Sequence, residues 1–142
     1  MSLAAIQKKA KAKPSIVIIY GPSGLGKTTL AVGSKNPIVL QTEEGLGILT
    51  NNRDIPHFPL AKDYDTFYGY LKSLVDADEL EYNTLVIDSL DWLEPLIFAK
   101  TCETHKQASI ESFGYGRGYV EALKYWREIL DLVNRLRNEK KM

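Results

Sequence analysis

The chain has 142 residues, of which 44% are hydrophobic and 25% are charged. This balance is typical of one globular domain with a buried core, and it excludes a disordered, collagen-like or coiled-coil chain. The 18 basic and 18 acidic residues cancel, which excludes a strongly basic chain of histone type but leaves room for a local basic face.

The first 13 residues differ in charge from the rest of the chain. They hold four lysines and no acid, so 14 basic residues remain against 18 acidic ones in residues 14–142. We expect a basic flexible arm over 1–13, followed by a single core over 14–142. The solitary cysteine excludes an internal disulfide, and neither a signal peptide nor an apolar run of membrane-spanning length is recognisable. We therefore expect a cytoplasmic protein with no membrane span.

The first half of the chain is predicted to hold two strands and one helix. The β-branched run at 16–20 favours a strand covered on both faces, as in parallel sheets. A helix is predicted over 27–32, ending near Gly33. A second apolar run predicts a strand over 38–40, and the glycine- and proline-rich stretch 45–62 is predicted to be mostly loop.

The middle of the chain repeats this alternation. Apolar residues at helical spacing predict a helix over 64–77, with Asp63 or Asp65 as its N-cap. The run at 84–88 predicts a third buried strand that ends in an acid. Strands that alternate with helices in this way predict an α/β fold with a mostly parallel sheet.

The last third is predicted to be helical on both sides of a loop. A helix is expected over 90–107, with Pro95 tolerated only in its first turn. The glycine- and serine-rich stretch 109–118 predicts a loop, and a long amphipathic helix begins at Tyr119. The apolar stripe predicted for this last helix consists of Leu123, Trp126, Leu130, Val133 and Leu136.

A glycine-rich loop between the first predicted strand and helix matches the pattern G-x-x-x-x-G-K-[ST] without a gap. Its glycines let successive N–H groups point at phosphate oxygens, and the helix that follows adds the positive end of its dipole. Lys27 is predicted to reach the β- and γ-phosphates, and the Thr28 hydroxyl to bind Mg²⁺. The sequence therefore predicts a nucleoside triphosphate site. It comprises Gly21, Pro22, Ser23, Gly24, Leu25, Gly26, Lys27, Thr28 and Thr29.

Acidic residues follow two of the predicted strands, where a parallel sheet delivers side chains to its carboxyl edge. Asp88 ends the third strand and is predicted to hold Mg²⁺, directly or through water. Glu43 and Glu44 follow the second strand, and a carboxylate there can orient and deprotonate the water that attacks the γ-phosphate. Glu43 is favoured because it is nearer the strand end, and a solvated acidic turn is the alternative. The guanine-reading motif is absent, which favours ATP over GTP.

The segment 113–119 alternates three aromatic residues with three glycines around Arg117. Aromatic rings can stack on bases while an arginine binds phosphate, which predicts a platform for single-stranded nucleic acid formed by Tyr115, Arg117 and Tyr119. Two other uses remain open. The aromatic residues can fold back on the core, or the arginine can reach the nucleotide of a neighbouring subunit.

The phosphate loop, the pair Glu43–Glu44, residues 85–89 and the segment 113–119 together resemble the phage-type nucleotide-binding proteins of the RecA superfamily, which are small ATPases of phages and prophages. The resemblance covers roughly residues 14–142 and implies a three-layer RecA-like P-loop NTPase that binds and hydrolyses ATP with Mg²⁺. It also implies a role in single-stranded DNA recombination or annealing, as a homo-oligomer. Within that resemblance Glu43 activates water, and the segment 113–119 contacts the DNA.

RecA-like cores place a further strand between the phosphate-loop strand and the magnesium-acid strand. The long last helix is not followed by such a strand, so we expect the chain to be part of a longer protein. Direct pairing of 16–20 with 84–88 would contradict that expectation. Two other functions stay open, a P-loop small-molecule kinase and a nucleotide-dependent switch or loader that acts on another protein. A kinase would need an arginine-bearing lid, for which the sequence shows no evident pattern.

Overall fold

Two parallel strands form the centre of a computed structural model that describes residues 12–48 and 54–142. Strand β1 (Pro37–Gln41) pairs with β2 (Thr84–Asp88), with Pro37 opposite Thr84 and Gln41 opposite Asp88. Both strands therefore end at the same edge of the sheet, as the sequence predicted. The basic arm expected over 1–13 falls almost entirely outside the described residues.

Within the described ranges, four α-helices pack around these strands, and none of the four is long and apolar enough to cross a membrane. Asp63 caps the second helix by accepting a hydrogen bond from the Thr66 N–H at 2.7 Å, which confirms it as the N-cap. The helices are α1 (Lys27–Val32), α2 (Tyr64–Asp76), α3 (Leu90–His105) and α4 (Arg117–Arg135). Shorter helical turns occupy Leu46–Ile48, Ile110–Phe113 and Leu136–Lys140.

Alternate residues of the strands face two separate apolar clusters. Ile38 and Leu40 of β1 join the main core, which α2, α3 and α4 complete. Val39 and Val86 point the other way and pack with Val32 of α1. Since successive strand residues point to opposite faces, the two strands carry helices on both sides. Helices α2, α3 and α4 thus pack on one face of the sheet, and α1 packs on the opposite face.

The run at 16–20 is not a strand of this sheet, so that prediction is wrong for the described part of the chain. Its side chains are 42–92% exposed, and its backbone makes no hydrogen bond with the described residues. A strand is buried only when neighbours cover it, and no described strand lies beside this run. It does not pair with β2, whose outer edge has no strand partner among the described residues.

Two predictions about the helices also need correction. Of the predicted stripe of the last helix, Leu136 is buried and Trp126 and Val133 pack against the core, but Leu123 and Leu130 are exposed. The side that α4 buries contains Ala122 and Ile129 instead. Apolar residues occupy both stripes, so periodicity alone cannot select between them, and packing against α2 and α3 decides. Pro95 lies in the second turn of α3 rather than the first. Its missing N–H leaves the carbonyl of Asp91, an exposed residue, without its helical partner.

Candidate nucleotide-binding site

The glycine-rich loop turns sharply into the first turn of α1. Gly24 and Gly26 have φ of 84° and 83°, which is left-handed backbone that residues with a Cβ rarely adopt. A Cβ added at either position would meet no atom within 4 Å. The requirement for glycine here is therefore conformational, and it sets the path that brings the following lysine and threonine into α1.

Lys27 lies over the loop that precedes it. Its ammonium group donates to the carbonyl oxygen of Gly21 at 2.7 Å and to that of Pro22 at 3.0 Å. Both acceptors are neutral, and an anionic phosphate oxygen binds an ammonium group more strongly than a neutral carbonyl oxygen does. The lysine is thus positioned to exchange two carbonyl oxygens for an anionic ligand held by the loop.

Thr28 and Asp88 meet across the site although they are 60 positions apart in the chain. The Thr28 hydroxyl donates to the Asp88 carboxylate, Oγ1 to Oδ2, at 2.9 Å, and both residues are half-buried. Mg²⁺ takes hydroxyl, carboxylate and water oxygens as ligands and usually uses only one or two protein carboxylates. The chemistry of this donor pair therefore fits Mg²⁺.

The turn after β1 lies beside the same aspartate. A Cβ added to Gly45 would lie 3.9 Å from Oδ2 of Asp88, and the Gly45 N–H donates to the Glu43 carbonyl at 3.1 Å. Glu43 is half-buried and Glu44 is exposed. Neither carboxylate forms a hydrogen bond or ion pair with residues 12–48 or 54–142. The turn with both glutamates is thus close to the Thr28–Asp88 pair.

One residue of the site was missed by sequence reasoning. Thr42 stands in the sequence between β1 and the two glutamates, and its side chain is buried. Its hydroxyl bonds to the backbone of Ser89, just after β2. The available signal was a polar β-branched residue directly between an apolar strand and a pair of acids. That signal could not identify Ser89 as its partner.

Two aromatic rings of the segment 113–119 are used in packing. Phe113 meets His105 edge to face at 5.4 Å, and Tyr119 meets Phe98 in the same way at 5.4 Å between ring centroids. The Tyr119 hydroxyl donates to the Glu111 carboxylate at 3.0 Å. The pKa of Glu111 is lowered by its own backbone N–H and by this hydroxyl, and the same bond raises the pKa of Tyr119. The rings of Phe113 and Tyr119 therefore fold back on the protein, which was one of the alternatives to a nucleic-acid platform.

Tyr115 and Arg117 differ from those rings. Tyr115 is fully exposed and has a positive φ of 49°, and Arg117 is exposed at the start of α4. Neither side chain makes a polar or ring contact with the part of the chain that the structure describes. Neither belongs to the Thr28–Asp88 pair, so they form a second, separate candidate surface.

The family model described as "AAA domain" matches residues 13–140. The chain therefore belongs to the AAA domain family, whose members are generally ATPases that use ATP and Mg²⁺. The match includes the glycine-rich loop, both strands and all four helices described above. The class of protein is thus an AAA-type, P-loop nucleotide-binding protein.

Among curated proteins, the chain is similar to YorG, an uncharacterized protein derived from the SPbeta prophage of Bacillus subtilis (strain 168). The two are 26% identical over 120 residues, which is 83% of this chain and 37% of the relative. The aligned part of the chain thus spans little more than a third of the relative's length. No solved structure matches the chain.

Proposed function

We propose that this chain binds and hydrolyses ATP with Mg²⁺ as part of a RecA-like phage or prophage protein that acts in single-stranded DNA recombination or annealing. The 2.9 Å hydrogen bond between Thr28 and Asp88 carries the nucleotide part of the proposal. It joins the two sequence features that a triphosphate site requires, the glycine-rich loop and the acid at a strand end. The prophage-derived relative agrees with the proposed origin.

Each polar group of the site has a proposed task. The loop N–H groups and Lys27 bind the phosphates, while the Thr28 hydroxyl and the Asp88 carboxylate hold Mg²⁺. Bound Mg²⁺ neutralises charge on the phosphate oxygens. Glu43 orients the attacking water and accepts its proton. The closeness of its turn to Asp88 supports this role, since Gly45 lies against that carboxylate.

The three-layer RecA-like architecture, within a longer protein, is also part of the proposal. Helices on both faces of β1 and β2 support it. A second support is the exposed run at 16–20, which leads directly into the glycine-rich loop and whose β-branched residues suit a covered strand. A further strand between this run and β2 would cover both.

Contact with single-stranded DNA is proposed for the surface formed by Tyr115 and Arg117. An aromatic ring without a packing partner can stack on a base of any sequence, and a nearby guanidinium group can bind the phosphate backbone. We propose that Tyr119 contributes less to DNA binding, because its ring packs against Phe98 and its hydroxyl bonds to Glu111. The competing use of Arg117, contact with a neighbouring subunit's nucleotide, predicts loss of hydrolysis rather than loss of DNA binding.

A homo-oligomer is proposed from the outer face of α4. Val120, Leu123 and Leu130 are exposed there at helical spacing, opposite the stripe that enters the core. Exposed apolar side chains on one helix face are candidates for an interaction surface. We define these three residues as the outer stripe of α4.

The test is ATP hydrolysis by the protein with and without single-stranded DNA. We expect Lys27→Ala to lower the rate about 100-fold or more, because it removes a charge that stabilises the transferring phosphoryl group. Lys35→Ala is the matched control, since Lys35 is exposed and its side chain bonds to none of the described residues.

Tyr115→Ala with Arg117→Ala should weaken DNA binding and leave ATP affinity unchanged. Turnover that ignores DNA and follows a small metabolite would overturn the proposal in favour of a kinase.

A further inference from the structure

Thr42 follows β1 directly and forms three hydrogen bonds to Asp88 and Ser89, where β2 ends. Its N–H donates to the Asp88 carbonyl oxygen at 2.9 Å, its hydroxyl donates to the Ser89 carbonyl oxygen at 2.6 Å, and the hydroxyl accepts from the Ser89 N–H at 2.8 Å. The residue is only 7% exposed. Water therefore does not compete freely for these groups, and the bonds fix the peptide that joins Asp88 to Ser89 and the carbonyl group that follows it.

The bond from the Thr42 N–H continues the ladder of the two parallel strands, whereas the two hydroxyl bonds lie beyond that ladder. The paired register of β1 and β2 ends at Gln41 opposite Asp88. Ser89 is already the N-cap of α3, and its carbonyl accepts the first helical hydrogen bond from Leu93 at 3.2 Å. The Thr42 hydroxyl thus binds the backbone of Ser89, the residue that connects β2 to α3.

The carboxylate of Asp88 is bound from the other side by Thr28 at 2.9 Å. Thr42 is also the residue directly before Glu43, so the same hydroxyl fixes the start of the turn that carries both glutamates. One side chain therefore couples the strand end proposed to hold Mg²⁺ to the turn proposed to activate water.

We propose that Thr42 is a positioning residue that orients Asp88 for Mg²⁺, through its hydroxyl bonds to the Ser89 backbone. This inference rests on the proposed function. A group that orients a metal ligand contributes to metal affinity without contacting the metal, and loss of such a group typically costs 10–100-fold in affinity or activity. Thr42 contributes nothing to the phosphate loop itself, so nucleotide binding without Mg²⁺ does not depend on it.

The test compares Thr42→Val, which keeps the shape and strand preference of threonine, with Thr42→Ser, which keeps the hydroxyl. The affinity for a non-hydrolysable ATP analogue is measured by calorimetry with and without Mg²⁺. We expect Thr42→Val to reduce the gain in affinity that Mg²⁺ supplies about 10-fold and to keep the affinity measured without Mg²⁺. Thr42→Ser should retain the gain, because it keeps the hydroxyl.

Thr84→Val is the matched control. The Thr84 hydroxyl donates to the Lys35 carbonyl oxygen at 3.0 Å, at the opposite end of the same two strands. This control removes one hydroxyl bond to backbone near the sheet and should lower stability without changing the effect of Mg²⁺. If Thr42→Val does not fold, Thr42→Cys replaces it, because a thiol is only a weak donor, and the same direction is expected.

Two outcomes separate the failure of this inference from that of the proposed function. Thr42→Val that retains the whole Mg²⁺-dependent gain, whatever its stability, would show that the hydroxyl serves only the fold and would overturn the inference alone. A wild-type protein whose affinity for the analogue does not respond to Mg²⁺ would overturn the proposed function and the inference with it.

Discussion

Position 118 shows how closely two backbones approach beside α4. A Cβ added to Gly118 would lie 2.2 Å from the carbonyl oxygen of Ile110 and 2.8 Å from Cδ2 of Phe113. Real Cβ atoms do not approach backbone oxygen this closely, so we expect Gly118→Ala to displace the turn at 110–113. The free energy of unfolding, measured by urea denaturation, should fall by about 1–3 kcal/mol.

Gly69 provides the control for that substitution. It lies inside α2, is exposed, and a Cβ added there would meet nothing within 4 Å. Alanine is preferred over glycine in a helix interior, so Gly69→Ala should raise the free energy of unfolding by up to about 1 kcal/mol. A Gly118→Ala protein that matches the wild type in stability would contradict the close approach of the two backbones.

The cap of α2 gives a pH-dependent prediction. The pKa of Asp63 is lowered from its usual 3.8, first by the backbone N–H of Thr66. Because the folded pKa is the lower one, the charged cap contributes its full stability above the ordinary pKa and loses it as the pH falls through the lowered pKa. We expect Asp63→Ala to cost about 1 kcal/mol at neutral pH, and this difference from the wild type should shrink in acid.

Asp63→Asn separates the charge from the hydrogen bond. Asparagine caps a helix as well as aspartate does but does not titrate. Its stability relative to Asp63→Ala should therefore stay constant in the same acid titration, followed by thermal unfolding. An Asp63→Ala deficit that persists unchanged in acid would be incompatible with a charged cap.

At the scale of elements, the outer stripe of α4 is the surface that the proposed oligomer would bury. Leu123→Lys with Leu130→Lys replaces two exposed leucines of the stripe and should leave the core intact, since α4 buries its opposite side. We expect sedimentation velocity to show that the double variant dissociates to monomers at concentrations where the wild type associates. Charged groups in an apolar interface cost more than the contacts they replace.

A second double variant controls for net charge. Asp78→Asn with Glu79→Gln produces the same change of two charges, but in the exposed connection after α2. Association of this control should equal that of the wild type. If both double variants dissociate alike, net charge rather than the outer stripe controls association.

The elements with strong local signals could be predicted from the sequence. The run at 84–88 and the cap at Asp63 gave β2 and the start of α2 correctly, because strand composition and helix capping are local. The run at 16–20 has the same composition as a strand but lies exposed. The composition of this run favours a strand, but only a neighbouring strand can form hydrogen bonds with the backbone groups of the run.

The same distinction holds within the site. Lys27 and Thr28 could be predicted because a short motif encodes them, and Asp88 because it ends an apolar run. Thr42 could not, because its role depends on Ser89, 47 positions later. The register that brings them together is a property of the whole sheet.

For the whole molecule, that parallel register is the central fact. It brings the end of β1 to the end of β2, and the glycine-rich loop then meets this edge through Thr28. The chain has no net charge, so attraction of a nucleotide depends on local groups at this edge rather than on an overall basic field. We propose that the glycine-rich loop and the end of β2 form one Mg²⁺–nucleotide site.

A double-mutant cycle tests that claim most directly. The affinity for ATP is measured with and without Mg²⁺ in the wild type, in Thr28→Val, in Asp88→Asn and in the double variant. We predict that each single substitution removes most of the Mg²⁺-dependent gain and that the double variant loses little more, because neighbouring residues that serve one ligand are not additive. Independent, additive losses, or a wild-type affinity that Mg²⁺ leaves unchanged, would contradict a single shared site.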